Sequence, residues 1–359
     1  MEAAIGVTAP VLQSGMGGVA GPELVAAVSN AGGLGTLAAL NLKPDAVRAG
    51  IQRVRELTDR PFGVNIWLHD DVRYPPDVAE HSDLVRSVQS VFNELRPRFD
   101  LAPTLEAPRP VPDLVDAALE VMVDERIPVF SAGLGIPEPG LVDQFHKAGA
   151  KVVTMVATTV DAVNAVDQGS DVVVAQGLEA GGHRSHGRKL TAAEAAGIGT
   201  FTLIPQVIEA IDDRVPVVAA GGIVDGRGLA AATMLGAAGV LMGTRFVATA
   251  ESQASQLWKD RLTSGSGTTV LTDGFTGQWA RVLRSEFTDH WADHGRLPLP
   301  GLLQAAACAD LQRAAVDADD DQMQPLYAGA AFDLLDDLPS AADIVTRTVR
   351  EALHLLGRV

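Results

Sequence analysis

The chain has 359 residues, with 28 Lys and Arg against 45 Asp and Glu, so its formal net charge is −17. A hydrophobic fraction of 47% provides for a sizeable core and excludes a disordered chain. The acidic balance argues against nucleic-acid binding, because neutralising phosphates requires clustered Lys and Arg.

Cys308 is the only cysteine, which excludes intramolecular disulfides and cysteine-based metal clusters. No segment resembles a secretory signal, and no apolar run reaches the roughly 18 residues of a membrane-spanning helix. We therefore expect a cytoplasmic protein with no membrane partner.

Short apolar runs alternate with amphipathic segments up to about residue 250. Bare apolar runs are typical of parallel strands that are covered on both faces. Eight such runs predict strands, at 10–13, 35–37, 61–68, 128–131, 152–156, 171–175, 216–219 and 239–242. The clearest predicted helices between them are 23–31, 45–57, 142–148, 159–168, 205–211 and 228–235. Eight β-then-α units favour an α/β fold of the (β/α)₈ barrel type over an open doubly wound sheet.

The domain organisation follows from where this alternation stops. We predict a barrel over residues 1–260, with an elaborated connection at 70–126 between the third and fourth strands. Residues 261–359 are predicted to form a mainly helical appendage, with a loop at 262–277 and helices at 281–316, 323–335 and 340–356.

The strongest local signal is the run Gln176-Gly177-Leu178-Glu179-Ala180-Gly181-Gly182-His183, directly after the sixth strand. Active sites of such barrels lie at the carboxyl ends of the strands. Gln176 is therefore expected at the mouth, and the double glycine would offer His183 to a ligand as a titratable or hydrogen-bonding group. His186 is predicted to be a solvated loop residue.

Two glycine-rich turns follow the last two strands. They contain Gly221-Gly222 and Met242-Gly243-Thr244. Barrels bind phosphate at these positions through backbone N–H groups, so an acidic chain could still hold a dianion there. The alternative is that these glycines only permit tight turns.

Two weaker signals lie near the amino terminus. Gly15 and Met16 belong to a glycine-rich turn that could lie against a planar ring, but the turn matches no phosphate-binding motif. Asn65 lies inside an apolar strand and needs a buried partner, either a ligand or a core hydrogen bond.

Other chemistry is disfavoured. His290 and His294 are four residues apart on a predicted helix, but no third ligand is near them in sequence, so no metal site is predicted. Cys308 is interpreted as core packing, which argues against cysteine-dependent catalysis.

Together these motifs resemble the nitronate monooxygenase family, formerly called 2-nitropropane dioxygenases. The resemblance rests on the segments 10–16, 31–35, 61–65, 176–183, 220–227 and 242–246. It extends into the appendage through the run at 271–277, Tyr327-Ala328-Gly329 and Leu338-Pro339.

The resemblance implies an FMN-dependent barrel that converts alkyl nitronates and O₂ to a carbonyl compound and nitrite. It implies that His183 faces the substrate, where it stabilises the nitronate or removes the α-proton of a nitroalkane. The cofactor site that we assign on this basis comprises Gly15, Met16, Asn65, Gln176, Gly181, Gly182, Gly221, Gly222, Met242, Gly243 and Thr244.

A sister family, the flavin- and NADH-dependent enoyl-acyl-carrier-protein reductases, also carries Gly-Gly-His after the sixth strand. The long tail and its Thr-Asp-x-Phe-Thr-Gly motif favour the nitronate enzymes, and a non-catalytic flavin-binding protein is a third alternative. Some family members surround the substrate with several tyrosines, whereas this chain has only Tyr74 and Tyr327, so a different pocket is expected. The physiological substrate, the use of NADH or NADPH, the acceptance of neutral nitroalkanes and the formation of a homodimer stay open.

Overall fold

A computed structural model describes residues 1–74, 76–187 and 190–358 of the chain. Its strands are β1 (Val11–Gln13), β2 (Thr36–Ala38), β3 (Gly63–Trp67), β4 (Val129–Gly133), β5 (Lys151–Val156), β6 (Val172–Gln176), β7 (Gly182–His183), β8 (Val217–Ala220), β9 (Gly239–Met242), β10 (Thr269–Thr272) and β11 (Ala280–Leu283). All except β7, β10 and β11 form one parallel sheet, in the order β1-β9-β8-β6-β5-β4-β3-β2.

The two edges of this sheet meet at the first strand. Leu12 forms a parallel bridge with Leu34, which lies just before β2. The side chain of Gln13 adds a clamp: its Oε1 accepts a hydrogen bond from the Thr36 N–H at 2.9 Å, and its Nε2 donates to the Thr36 carbonyl at 3.3 Å. The sheet is thereby brought round into a barrel. The predicted (β/α)₈ class is confirmed, and each of the eight predicted strands overlaps an observed one.

Helices surround the barrel. In chain order they are α1 (Glu2–Ile5), α2 (Pro22–Asn30), α3 (Pro44–Leu57), α4 (Asp70–Arg73), α5 (Ser82–Asn93), α6 (Val115–Asp124), α7 (Pro139–Lys147), α8 (Thr159–Asp167), α9 (Ala192–Ala196), α10 (Thr200–Ala210), α11 (Gly226–Met234), α12 (Thr244–Val247), α13 (Gln256–Thr263), α14 (Glu286–His294), α15 (Leu303–Ala307), α16 (Ala309–Asp317) and α17 (Ala341–Leu355). Short 3₁₀ turns cover Val78–His81, Arg96–Phe99 and Phe332–Leu334. No helix in the described part of the chain is long and apolar enough to cross a membrane.

The final helix, α17, is part of this outer layer. It packs against α11 and α2, the helices that flank the last and first strands of the barrel. Ile344 and Val345 of α17 are buried in the same core cluster as Val11 and Val240 of β1 and β9. The end of the tail therefore completes the helical layer around the barrel.

Helix α10 begins at Thr200, five residues before the start predicted at Pro205. A side chain distant in sequence explains this difference. The Glu179 carboxylate accepts hydrogen bonds from the Thr200 N–H at 2.8 Å and from its hydroxyl at 2.7 Å. Because this contact satisfies a free N–H group of the first turn, the helix extends beyond the proline.

Three predictions for the tail are wrong in detail. The predicted loop at 262–277 contains β10, and the predicted helix at 281–316 starts with β11 and is interrupted at Gly295, which has φ +55°. The predicted helix at 323–335 contains only the turn Phe332–Leu334. Strand β11 pairs antiparallel with both β10 and β7, so the tail adopts β-structure through partners that helical periodicity does not reveal.

The connection at 70–126 carries α4, α5 and α6. Its contact with the tail is partly apolar, and ion pairs such as that of Arg96 with Asp310, 2.8 Å apart, add to it. Phe92 stacks on Phe287 and Trp291, with ring centroids 5.9 and 5.7 Å apart. The predicted core residue Cys308 lies in the same cluster, fully buried. The connection and the tail therefore share one core beside the barrel.

Candidate active site

A cavity of about 370 Å³ opens at the carboxyl ends of the barrel strands. Its walls bring together residues from the turns after β1, β6, β8 and β9 and from β3. Of the residues proposed from sequence, those that line it are Gly15, Met16, Asn65, Gln176, Gly181, Gly182, His183, Gly221, Gly222, Gly243 and Thr244. Residues up to 229 positions apart in the chain thus face one space.

Met242 is the exception. Its side chain is only 1% exposed and packs in the apolar cluster between the barrel and its helices, whereas the preceding Leu241 lines the cavity. Successive side chains of a strand point to opposite faces, so only one of these two neighbours can reach the cavity. The Met242 carbonyl accepts a hydrogen bond from the Ser14 N–H at 3.1 Å, which fixes the start of the first turn.

The two glycine turns lie side by side, because Ala220 and Leu241 are paired residues of β8 and β9. Gly221 has φ +111°, and a Cβ there would lie 2.9 Å from the Ala180 nitrogen, so the turn excludes any larger residue. The Thr244 hydroxyl accepts a hydrogen bond from the Gly329 N–H at 2.8 Å and keeps its own proton to donate. The tail thus orients a hydroxyl at this end of the cavity.

The turn after β1 approaches β3 closely. A Cβ on Gly15 would lie 2.4 Å from the Cβ of Asn65, so this position requires glycine. Asn65 donates from Nδ2 to the Ser131 carbonyl at 3.1 Å and to the Ser131 hydroxyl at 3.0 Å. The core hydrogen bond expected as one alternative for Asn65 is therefore present, and the residue also lines the cavity.

His183 lies in β7, which extends into the cavity as the edge strand of the small antiparallel sheet. Its Nε2 is 2.8 Å from the Thr276 hydroxyl. Trp67 approaches the imidazole edge-on with 4.5 Å between ring centroids, and Tyr327 lies on another side at 5.3 Å. One hydrogen bond and two aromatic rings therefore fix the imidazole plane.

The backbone around His183 is held by its neighbours. Gln176 donates from Nε2 to the His183 carbonyl at 2.8 Å and accepts from the Ser185 N–H at 2.8 Å. The buried guanidinium of Arg184 donates to the Gly177 carbonyl at 2.7 Å. Gln176 thus has two roles, because it lines the cavity and its side-chain amide also fixes the backbone of the loop that carries His183.

His186 is not the solvated residue that the sequence suggests. It is 2% exposed, and its ring lies edge-on to His69 at a centroid distance of 5.6 Å. The loop folds inward because the Ser185 hydroxyl donates to the Met155 carbonyl at 2.8 Å and accepts from the Leu134 N–H at 2.9 Å. These bonds tie the loop to the ends of β4 and β5.

The electrostatics of the cavity favour uncharged side chains. Burial lowers the pKa of His183 from 6.5 to about 3, and repulsion from His186 acts in the same direction. Burial also raises the pKa of the Tyr327 phenol. Among the described residues that line the cavity there is no Asp, Glu, Lys or Arg. At neutral pH the imidazole therefore acts as a neutral group.

Three residues at the imidazole were not assigned to the site from sequence, namely Trp67, Thr276 and Tyr327. Thr276 and Tyr327 belong to the tail motifs that carry the family resemblance. The sequence therefore marked these two residues but did not indicate that they lie beside His183. Tyr74, the other tyrosine, is 62% exposed and does not line the cavity.

Comparison with known proteins agrees with this geometry. A family model described as nitronate monooxygenase matches residues 1–351. A probable nitronate monooxygenase from Staphylococcus saprophyticus is 33% identical over 356 residues, covering 99% of this chain and 97% of the relative.

Two solved structures match nearly the whole chain. The nitroalkane oxidase of Streptomyces ansochromogenes is 34% identical with a TM-score of 0.88, covering 98% of this chain and 97% of its own. FabK from Thermotoga maritima is 30% identical with a TM-score of 0.76, covering 99% and 96%. The family match over almost the entire length, together with a barrel whose glycine turns share a cavity with a half-buried histidine, establishes that the chain belongs to the nitronate monooxygenase family of flavin-dependent oxidoreductases.

Proposed function

We propose that the chain binds FMN and oxidises alkyl nitronates with O₂ to a carbonyl compound and nitrite. The observation that carries this proposal is the His183 imidazole, fixed by its contact with Thr276 in the same cavity as two adjacent glycine turns. The turns suit a phosphate and the imidazole suits a small reactive substrate.

The residues present fit FMN. The phosphate would be held by backbone N–H groups of Gly221, Gly222 and Gly243 and by the Thr244 hydroxyl, since uncharged donors can bind a dianion in an acidic protein. Because Gly15 has no side chain where it lies against Asn65, the flavin ring would have a flat surface to pack on there. When bound, FMN supplies the electron-transfer chemistry that side chains lack.

The tautomer of His183 is coupled to the Thr276 hydroxyl, because this hydroxyl has a single proton to donate. When it donates to Nε2, the imidazole carries its proton on Nδ1 and can donate to an anionic nitronate. When it donates instead to the Gln278 carbonyl, 3.3 Å away, Nε2 keeps the proton and Nδ1 can accept one from a nitroalkane. A pKa near 3 makes the imidazole a weak base, so we expect preformed nitronates to react faster than neutral nitroalkanes.

The surroundings of the imidazole favour an uncharged substrate chain. Trp67, Leu302, Ala305 and Val111 contribute apolar surface to the cavity. A carboxylate on the substrate, in addition to the nitronate, would lose its hydration without gaining a described cation on the cavity wall. We expect propyl-2-nitronate to have a higher kcat/KM than propionate-3-nitronate.

The test is a visible spectrum of the purified protein, the mass of the released cofactor, and nitrite release with each nitronate in air. Flavin absorbance, the mass of FMN and O₂-dependent nitrite are expected. His183→Asn should retain FMN and lose most turnover, whereas His354→Asn, which removes an exposed imidazole from α17, should keep it. Near-native turnover in His183→Asn would exclude the assigned role of the imidazole, and a colourless protein that stays colourless with added FMN would exclude the cofactor.

The second candidate is a flavin- and NADH-dependent enoyl-acyl-carrier-protein reductase, which the whole-chain match to FabK favours. Anaerobic addition of NADH separates the two activities. Rapid bleaching of the flavin, together with no nitrite from any nitronate, would identify the reductase. Failure of both reactions in a flavin-loaded protein would identify a non-catalytic flavin-binding protein.

A further inference from the structure

Three ligand-type side chains meet on the side of the molecule where the connection at 70–126 contacts the tail. Glu94 directly follows α5, and His290 and His294 lie one turn apart in the second half of α14, with His294 its final residue. One potential ligand atom from each lies within 4.8 Å of the others. The spacing of four residues places both imidazoles on one helix face, with ring centroids 4.4 Å apart. The sequence lacked a third ligand, and the fold supplies it from a residue almost 200 positions earlier in the chain.

The separations of these atoms suit a small divalent ion. Glu94 Oε1 is 3.2 Å from His294 Nε2, and Glu94 Oε2 is 3.9 Å from His290 Nε2. Ligands about 2.0–2.1 Å from a tetrahedral zinc ion lie roughly 3.3 Å apart. Small side-chain rotations would therefore complete the geometry.

The tautomer of His294 is also suitable. Its Nδ1 is 2.8 Å from the His290 carbonyl, which can only accept, so Nδ1 carries a proton. Such a bond on one ring nitrogen leaves the other available to a metal and orients the ring. A metal ion would take the place of the proton that Nε2 shares with Glu94. The Nε2 of His290 donates to the Val91 carbonyl at 3.1 Å, and this bond would be exchanged for coordination.

The backbones that carry the ligands are held by the core beneath them. Phe92, two residues before Glu94, stacks on Phe287 and Trp291 of α14. The ligands themselves face solvent, with Glu94 59%, His290 21% and His294 26% exposed. Water can therefore occupy a fourth position, and the ligands can reach their places without rearrangement of the fold.

We propose that Glu94, His290 and His294 form a zinc-binding site that joins the connection at 70–126 to the tail, separate from the cavity and independent of the proposed catalytic function. Two imidazoles and one carboxylate without a thiolate suit Zn²⁺, whereas Mg²⁺ and Ca²⁺ prefer all-oxygen sites. Bound Zn²⁺ would stabilise the folded protein, because the unfolded chain does not hold the three ligands together.

The test is calorimetric titration of the chelator-treated, flavin-loaded protein with Zn²⁺, and separately with Mg²⁺, followed by thermal unfolding. We expect one Zn²⁺ per chain, a higher Tm with Zn²⁺, and no comparable effect of Mg²⁺. His290→Gln, His294→Gln and Glu94→Gln should each weaken binding by at least about ten-fold.

A matched control is His146→Gln, because His146 also contacts a carboxylate, Asp171, at 2.8 Å but forms no described three-ligand group. This variant should bind Zn²⁺ like the parent protein. Failure of the parent to bind one equivalent, or undiminished binding by the double variant His290→Gln/His294→Gln, would show that Glu94 and His294 form an ion pair only. Flavin content of every variant reports that the fold is retained.

Discussion

The half-buried imidazole of His183 makes the stability of the protein depend on pH in a way that one substitution can isolate. Its pKa is about 3 in the folded state against 6.5 for an exposed imidazole. Well above pH 6.5 neither state binds the proton, and the imidazole has no pH-dependent effect on stability. As the pH falls below 6.5 the unfolded chain takes up a proton that the folded protein does not, so the free energy of unfolding decreases.

The size of the effect follows from the two pKa values. At pH 5.5, which is above the sequence pI of about 4.8, an imidazole with pKa 6.5 in the unfolded chain is roughly nine-tenths protonated. The folded state is then disfavoured by about 1.4 kcal/mol relative to pH 7.5. This value is an upper bound, because the ring faces the cavity and not only the protein core.

The measurement is urea unfolding of the parent protein and of His183→Asn at pH 7.5 and 5.5, with equal flavin occupancy. Asparagine does not titrate, so the parent should lose about 1.4 kcal/mol more than the variant over this interval. His354→Asn, at an exposed position, controls for the removal of an imidazole elsewhere. Equal pH-dependent losses in the parent and His183→Asn would refute the inference that the folded protein suppresses protonation of His183.

Thr276→Val removes the hydroxyl 2.8 Å from His183, and the loss of about 1 kcal/mol of hydrogen bonding should lower kcat about five-fold. The flavin absorbance should be unchanged, and Thr276→Ser should retain activity. An unchanged kcat and pH profile in Thr276→Val would contradict this role. Gly221→Ala places an alanine at φ +111°, with its Cβ 2.9 Å from the Ala180 nitrogen, so this variant should lose flavin on gel filtration. The control Gly140→Ala should retain flavin, because a Cβ at that position meets no atom within 4 Å. Arg184→Met removes the guanidinium that donates to the Gln176 and Gly177 carbonyls, of which the Gly177 carbonyl keeps a bond from the Ala180 N–H at 3.2 Å. The free energy of unfolding should fall by about 1–3 kcal/mol in urea titrations. A change below 0.5 kcal/mol would be inconsistent with that account.

The barrel could be predicted from sequence because its signals are local. Strands β4, β5 and β6 are bare apolar runs that admit few other structures, and the glycine turns follow directly after the strands that position them. The tail could not be predicted in this way. Strand β11 exists because it pairs with β10 and β7, and α10 starts early because Glu179 bonds to Thr200.

For the candidate site too, the features that follow from local sequence could be predicted and those that depend on tertiary contacts could not. The run from Gln176 to His183, the two glycine turns and their common face follow from motif and topology, because the carboxyl ends of barrel strands converge. Met242 shows the limit of that reasoning, since a neighbouring position on one strand decides whether a side chain meets the cavity or the outer core.

The sequence by itself determined the barrel, its family and the histidine offered to the cavity, because each is encoded in short contiguous patterns. Only the tertiary structure decided what surrounds that histidine. Thr276 and Tyr327 reach it from the tail, and Glu94 reaches His290 and His294 from the connection at 70–126. Contacts between residues about 90 to 200 positions apart depend on how separate elements share a core, and no local periodicity records that packing.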